Sequence, residues 1–200
     1  MARREGRERF DAAYFRRFYG ARGRVHGPRE IAQLARGLTG LAAWLGQPIA
    51  SVLDVGAGIG LWRDWFARWR PSVHYRSTDV SAYACRAYGH ERRDIATFRA
   101  RERFDLIICH GVLQYLDDKG AARAIENIAA MSRGLVYLEV ITRGDLRAVC
   151  DLDATDTAIH RRTAGWYRAR LRPHFQQVGA GLFASRRSGL RFYELEAAGR

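Results

Sequence analysis

Four residues at alternating positions, Asp54, Gly56, Gly58 and Gly60, carry the first chemistry legible in this chain. Glycine lets the backbone approach a ligand closely, so such a run marks a cradle for a nucleotide-like group. Its spacing, D-x-G-x-G-x-G, departs from the G-x-G-x-x-G of dinucleotide loops, which set a pyrophosphate on a helix N-terminus. A second acid, Asp79, follows Gly56 by 23 residues. A carboxylate that accepts both hydroxyls of a ribose stands about 20 residues past such a loop. Glycines and acid together indicate a ligand containing a nucleoside.

These residues need elements to hold them. Val52, Leu53 and Val55 read as a short strand buried on both faces, and Leu61–Trp69 as the helix after the loop. Val73–Asp79 is expected as a second strand, with Ser81 capping the next helix. A third strand is expected around residues 89–94, a fourth at Phe104–Cys109 and a fifth at Gly134–Val140. Asp117 or Asp118 starts a helix that runs to about Met131. Ahead of this core, Phe10–Tyr19 reads as an aromatic helix. Pro28 opens another, whose Ile31, Leu34, Leu38, Leu41 and Leu45 recur at helical steps before Gly46 and Pro48 stop it. Residues 20–27 read as a loop and Asp151–His160 as a polar one. Thr163–Leu171 is expected to be helical, and Phe175–Ala184 and Leu190–Leu195 to pair as an antiparallel hairpin across Ser185–Gly189. Alternating strands and helices imply a parallel sheet covered on both faces.

Composition narrows the classes. With 200 residues, 48% hydrophobic and 28% charged, the chain is expected to form one globular domain. Residues 1–47 would be an N-terminal lid or clasp, 48–141 the binding core and 142–200 the substrate side and hairpin. No apolar run reaches the roughly 18 residues that cross a bilayer. The first ten residues lack the apolar segment of a secretory leader. Cys85, Cys109 and Cys150 form neither a disulfide framework nor a metal pattern. A cytoplasmic location and no metal are therefore expected. The net charge of +13 invites a polyanionic partner, but the cations are arginines spread along the chain, with Lys119 the sole lysine. A nucleic-acid partner is not favoured on that distribution.

Asp54-Val-Gly-Ala-Gly-Ile-Gly60, with Asp79 and the segment Phe104-Asp-Leu-Ile-Ile-Cys-His-Gly-Val-Leu-Gln-Tyr-Leu116, resembles the class I S-adenosylmethionine-dependent methyltransferases of small-molecule type. The likeness covers about residues 50–140. It implies a Rossmann-like methyltransferase fold: a seven-stranded, mostly parallel sheet with a C-terminal antiparallel hairpin and helices on both faces. S-adenosylmethionine would be the cofactor and S-adenosylhomocysteine its product. Gly56, Ala57, Gly58 and Gly60 would pass beneath the amino-acid and ribose portions, Asp54 would face the ammonium end and Asp79 the ribose diol. Val80 and Ile95 would lie near the adenine and Asp94 near its amino group. His110, Gly111 and Val112 would approach the methionine part, with Trp62 beside the loop. Tyr115 and Gln114 would face adenosine or acceptor, Tyr115 packing the next helix being an equal alternative. The Cys109-His110-Gly111-Val112 stretch lacks the Asn-Pro-Pro-Tyr-type signature of many amino-methylating nucleic-acid enzymes.

Methyl transfer is an in-line displacement and needs positioning more than covalent help. Loss of a proton from the acceptor calls for a base, and histidine suits neutral pH. His160, with Asp156 as its orienting partner, is the candidate here, a surface histidine being the plain alternative. Tyr14, Tyr19, Arg22 and His26 are candidate lid residues. The expected function is methyl transfer to O or N of a small molecule. The alternatives are an RNA methyltransferase and a non-catalytic binding module. The oligomeric state and the acceptor are left open.

Overall fold

A computed structural model of the protein describes residues 9–20 and 26–193. Seven strands form one sheet: β1 (Ser51–Val55), β2 (His74–Asp79), β3 (Glu91–Arg92), β4 (Phe104–His110), β5 (Ser132–Glu139), β6 (Phe175–Gly179) and β7 (Leu182–Ser185). Their order is β3-β2-β1-β4-β5-β7-β6. The first five strands pair in parallel and the last two run antiparallel. The helices are α1 (Ala12–Tyr19), α2 (Pro28–Trp44), α3 (Leu61–Trp69), α4 (Ala82–Tyr88), α5 (Asp118–Met131), α6 (Asp145–Ala148) and α7 (Ala164–Leu171), with a 3-10 turn at Leu113–Tyr115. The expected sheet and its hairpin are present.

The alternating strand residues supply two apolar layers. Leu53, Val55, Ile107 and Cys109 join α5 and α7 on one face. Val52, Leu106 and Ile108 join α2 and α3 on the other. Both faces of β1 and β4 are therefore apolar, as a doubly covered parallel sheet requires. Trp62 and Trp65 pack in that second layer, whereas Trp69 is exposed. The strand order reverses at β1: β2 and β3 extend one side and β4 and β5 the other. The crevice between the C-terminal ends of β1 and β4 is where an open α/β sheet binds its ligand.

The boundaries differ from the sequence reading where local chemistry overrides the apolar pattern. Helix α1 starts at Ala12 because the Asp11 carboxylate caps it, accepting from Tyr14 N. Helix α5 starts as expected, at Asp118 behind Asp117, whose carboxylate accepts from Gly120 N. Strand β3 shrinks to two residues, and the short α6 was not expected.

The hairpin lies inside the run read as a single strand. Ala180 (φ +46°) and Gly181 (φ +77°) turn the chain, so β6 and β7 both come from Phe175–Ser185. The Gly179-Ala-Gly181 signal was masked by the apolar residues around it and by the more polar Ser185–Gly189 stretch. Residues 190–193 are not strand, and Leu190 and Phe192 instead pack against the layer of α2 and α3. Leu195 lies outside the described residues.

Arg162 was not singled out by sequence, yet it is only 6% exposed. Its guanidinium donates to the carbonyls of Leu113 and Leu116, to Tyr167 Oη and to Asp118. It thus ties the turn after β4 to the segment before α7. Arg162→Ala strands buried acceptors and is expected to cost about 2–3 kcal/mol, as for bonds to charged groups. Urea denaturation checks this, and a loss below about 0.5 kcal/mol, the level of a surface change, would refute it.

Candidate functional site

Gly56, Gly58 and Gly60 have φ values of +70°, +58° and +82°, a region that side-chain-bearing residues avoid. Gly56 N and Ala57 N both donate to Thr78 O, at 2.8 and 3.0 Å. The loop is therefore stitched to the end of β2 as well as to β1. At Gly56 an added Cβ would stand 2.4 Å from Val112 Cγ2, so the close approach of the loop to the turn after β4 needs glycine. Gly60 is the left-handed N-cap of α3. Gly56→Ala should cost about 1–3 kcal/mol of overpacking, in addition to backbone strain. Gly89→Ala is the control, because Gly89 has φ +76° but no atom within 4 Å of its Cβ position. Comparable urea midpoints for the two variants would refute the packing argument.

Asp79 ends β2 and is 7% exposed. One carboxylate oxygen accepts from Gly58 N at 2.9 Å and the other from Ser81 N at 2.8 Å. An ionised carboxylate has about four acceptor positions, so two are left for a pair of hydroxyls. His90, which the sequence reading passed over, holds the same loop. Its Nε2 meets Gly58 O at 3.1 Å and its Nδ1 meets Ser77 Oγ at 2.9 Å. A carbonyl can only accept, so the proton sits on Nε2. Burial pushes the His90 pKa down, toward the neutral ring.

Two cavities flank this loop. The smaller, about 420 Å³, is lined by Asp79, Val80, Asp94, Ile95 and Val112. Asp94 accepts from Ala96 N through one carboxylate oxygen, leaving the other for a donor. The larger, about 650 Å³, is lined by Asp54, Ala57, Trp62, Gln114 and Glu139 among others. Tyr14, Tyr19, Gly56, Gly58, His110, Gly111 and Tyr115 line both. Asp54 is 1% exposed and accepts from Tyr75 Oη at 2.7 Å. Its burial pushes the pKa up to about 7.

The larger cavity contains an acid–base cluster that the sequence did not suggest as a unit. Glu139, at the end of β5, accepts from Tyr137 Oη at 2.7 Å through one carboxylate oxygen. Its other oxygen lies 3.2 Å from His110 Nε2 and 3.4 Å from His26 Nε2. Burial opposes ionisation of Glu139, but these donors outweigh it and hold the carboxyl far below its usual range. The Glu139 carboxylate in turn raises the pKa of His26, against partial burial. The ligating atoms of His26, His110 and Glu139 lie within 4.8 Å of one another, as a metal site requires. However, Trp62 Nε1, which can only donate, points at His110 Nδ1 from 3.3 Å. His110 is therefore protonated on Nε2 and gives that hydrogen to Glu139, so Nε2 has no lone pair for a metal ion.

Helix α1 roofs both cavities. Tyr14 Oη and Tyr115 Oη are 3.0 Å apart, Ser81 Oγ donates to Phe10 O, and the Phe15 ring packs tilted against Tyr83. Tyr115 lines both cavities and meets Tyr14 and Phe10 of the N-terminal segment. Arg22 lies outside the described residues. His160 is exposed, lines the smaller cavity and takes no side-chain hydrogen bond among the described residues. Asp156 lines the larger cavity and is paired with Arg9 at 2.7 Å. These two residues do not form a dyad.

A family described as "Methyltransferase domain" matches residues 7–184 of the chain. No curated protein matches by sequence. Among solved structures, magnesium protoporphyrin IX methyltransferase from Synechocystis PCC 6803 with bound SAH aligns at TM-score 0.59 and 18% identity, over 90% of this chain and 97% of that one. The plantazolicin methyltransferase BpumL, with a monoazolic desmethylPZN analog and SAH, aligns at TM-score 0.60 and 14% identity, over 85% of this chain and 68% of its own. In BpumL with SAH alone, the match spans 63% of that protein's length. The N-methyltransferase NodS from Bradyrhizobium japonicum WM9 aligns at TM-score 0.52 and 19% identity, over 78% and 88% of the two chains. These likenesses show a common fold.

Proposed function

The chain belongs to the methyltransferase-domain family, and from that premise we propose that it moves a methyl group from S-adenosylmethionine to O or N of a small acceptor. The observation that carries this reading is the left-handed glycine loop, hydrogen-bonded to the Asp79 carboxylate at the switch point of the sheet and opening on two adjoining cavities. The smaller cavity, about 420 Å³, is within the usual range for a ligand pocket.

The lining fits the cofactor. Asp79 would hold the ribose diol with its two remaining acceptor positions. Val80, Ile95 and Val112 offer apolar surface for an adenine, and the free oxygen of Asp94 an acceptor for its amino group. Asp54 and the backbone of Gly56–Gly58 would meet the amino-acid end. When bound, the cofactor supplies an electrophilic methyl group on a sulfonium.

The protein's own task is then to hold the acceptor in line and to receive its proton. We place that role at His26 rather than His160. His26 lines the larger cavity, its Nε2 faces the Glu139 carboxylate, and its Nδ1 has no partner among the described residues. His110, fixed by Trp62 and donating to Glu139, is a positioning residue. Calorimetric titration with S-adenosylhomocysteine tests the cofactor assignment. One-to-one binding is expected, and no heat at millimolar ligand would overturn it.

A further inference from the structure

The charge of the larger cavity runs against that of the chain. The sequence carries a net charge of +13, yet no arginine or lysine lines this cavity among the described residues, whereas Arg93 and Arg123 line the smaller one. Beyond Asp54, the acidic residues Glu139, Asp145, Asp151 and Asp156 are part of its lining. Asp156 is compensated by Arg9. Asp145 accepts from Thr142 N and Asp151 from Asp153 N, and neither has a cationic partner among the described residues. The net field of the acceptor side is negative.

A second observation points to a donor rather than to solvated acids. Gln114 is 2% exposed and lines the cavity, and its buried Oε1 has no hydrogen-bond partner. An unpaired buried acceptor is costly, so a ligand N–H or O–H has a waiting partner there. Tyr14, Tyr19 and Trp62 add ring surface to the wall, and aromatic faces attract cations. Carboxylates, a free acceptor and aromatic rings together describe a pocket for an ammonium group.

We propose that the methyl acceptor is an amine that enters as its ammonium ion, held by Glu139, Asp145 and Asp151 and by the amide oxygen of Gln114. This rests on the reading of the two cavities as cofactor and acceptor sites. Negative charge there also offsets the repulsion between an ammonium and the nearby sulfonium. One N–H proton of the ammonium passes to His26. The freed lone pair forms the N–C bond as the C–S bond breaks, and that electron pair returns to sulfur. The donor becomes a neutral thioether and the acceptor a methylated ammonium. Anionic acceptors, RNA included, meet like charge at this wall despite the basic exterior.

Benzylammonium, benzyl alcohol and benzoate are probes of one shape and three charges. They can be titrated by NMR into protein saturated with S-adenosylhomocysteine. Benzylammonium is expected to bind at least about tenfold more tightly than either of the others, a difference of about 1.4 kcal/mol. The preference should weaken with added salt and fall several-fold in the Asp145→Asn, Asp151→Asn double variant, where Glu139 is left as the remaining carboxylate. Equal binding of the three, binding of none, or a preference undiminished in a double variant of unchanged Tm would overturn the assignment. Protein that fails to take up S-adenosylhomocysteine would overturn the underlying cofactor reading as well. Uptake without a cation preference would overturn the amine assignment alone.

Discussion

His26→Ala is expected to lower kcat by about 10²–10⁴-fold, the range supplied by a positioned general base. Affinity for S-adenosylhomocysteine should fall less than in Asp79→Ala, because His26 lines the larger cavity, which takes only the amino-acid end of the cofactor, and not the one that holds Asp79 and Asp94. The pH profile separates a proton acceptor from a structural residue. Protonated His26 cannot receive a proton, so kcat rises with pH through the His26 pKa. The groups facing this imidazole are Glu139, His110 and Glu30. Contact with the Glu139 carboxylate favours the imidazolium, so the inflection lies above the ordinary histidine value of about 6.5. Glu139→Gln removes that charge and should move the inflection down. Stopped-time methylation assays between about pH 5 and 9 check both variants, this span covering the usual range of histidine titration. An inflection that stays in place in both variants would remove His26 from the mechanism, and His160→Ala would then be the variant to assay.

The two halves of the site differ in how openly the sequence declared them. The cofactor half is local. Asp54, the glycines and Asp79 lie at the ends of two strands, and the short apolar strand runs plus backbone requirements identify them. The acid–base cluster is assembled from three distant segments: His26 before α2, His110 at the end of β4 and Glu139 at the end of β5. No spacing rule connects them. One signal was present, since Glu139 is a charged residue closing the apolar run Leu135–Leu138 at the ligand-binding end of the sheet. His90 was unreadable for another reason, because its partners Ser77 and Gly58 are set by the register of β2. Arg162 was hidden by composition. In a chain so rich in arginine, nothing in the sequence marks the one that is buried.

The proposed small acceptor and the proposed amine rest on the same physical basis. Basic residues spread over the outside give solubility and weak attraction for polyanions, while specificity belongs to the groups that line the cavity. Helix α1 and the residues just before it reach the cavity walls through the Tyr14–Tyr115 hydroxyl contact and the Arg9–Asp156 ion pair. An exterior charge and an interior of opposite sign are therefore compatible, because they act on different partners.

Asp79→Ala tests the opening feature of the chain, and two losses add. The first is direct: a charged acceptor for the ribose diol disappears, at about 1.5–3 kcal/mol for bonds to a charged group. The second acts on the protein. Gly58 N and Ser81 N lose their partner, and the Gly58 N–H bond lies wholly among buried atoms, so the loop gives up part of its preorganisation. The dissociation constant for S-adenosylhomocysteine should rise by roughly one to two orders of magnitude, on the scale of about 1.4 kcal/mol per tenfold. Asp79→Asn separates the two losses. The amide oxygen can still accept one backbone N–H, so the loop is partly retained while the charge is lost. Calorimetry should rank the affinities as wild type, then Asn, then Ala, with circular dichroism confirming the fold of each. A dissociation constant unchanged in both variants would detach Asp79 from the ribose and leave it a purely structural tie between the glycine loop and α4.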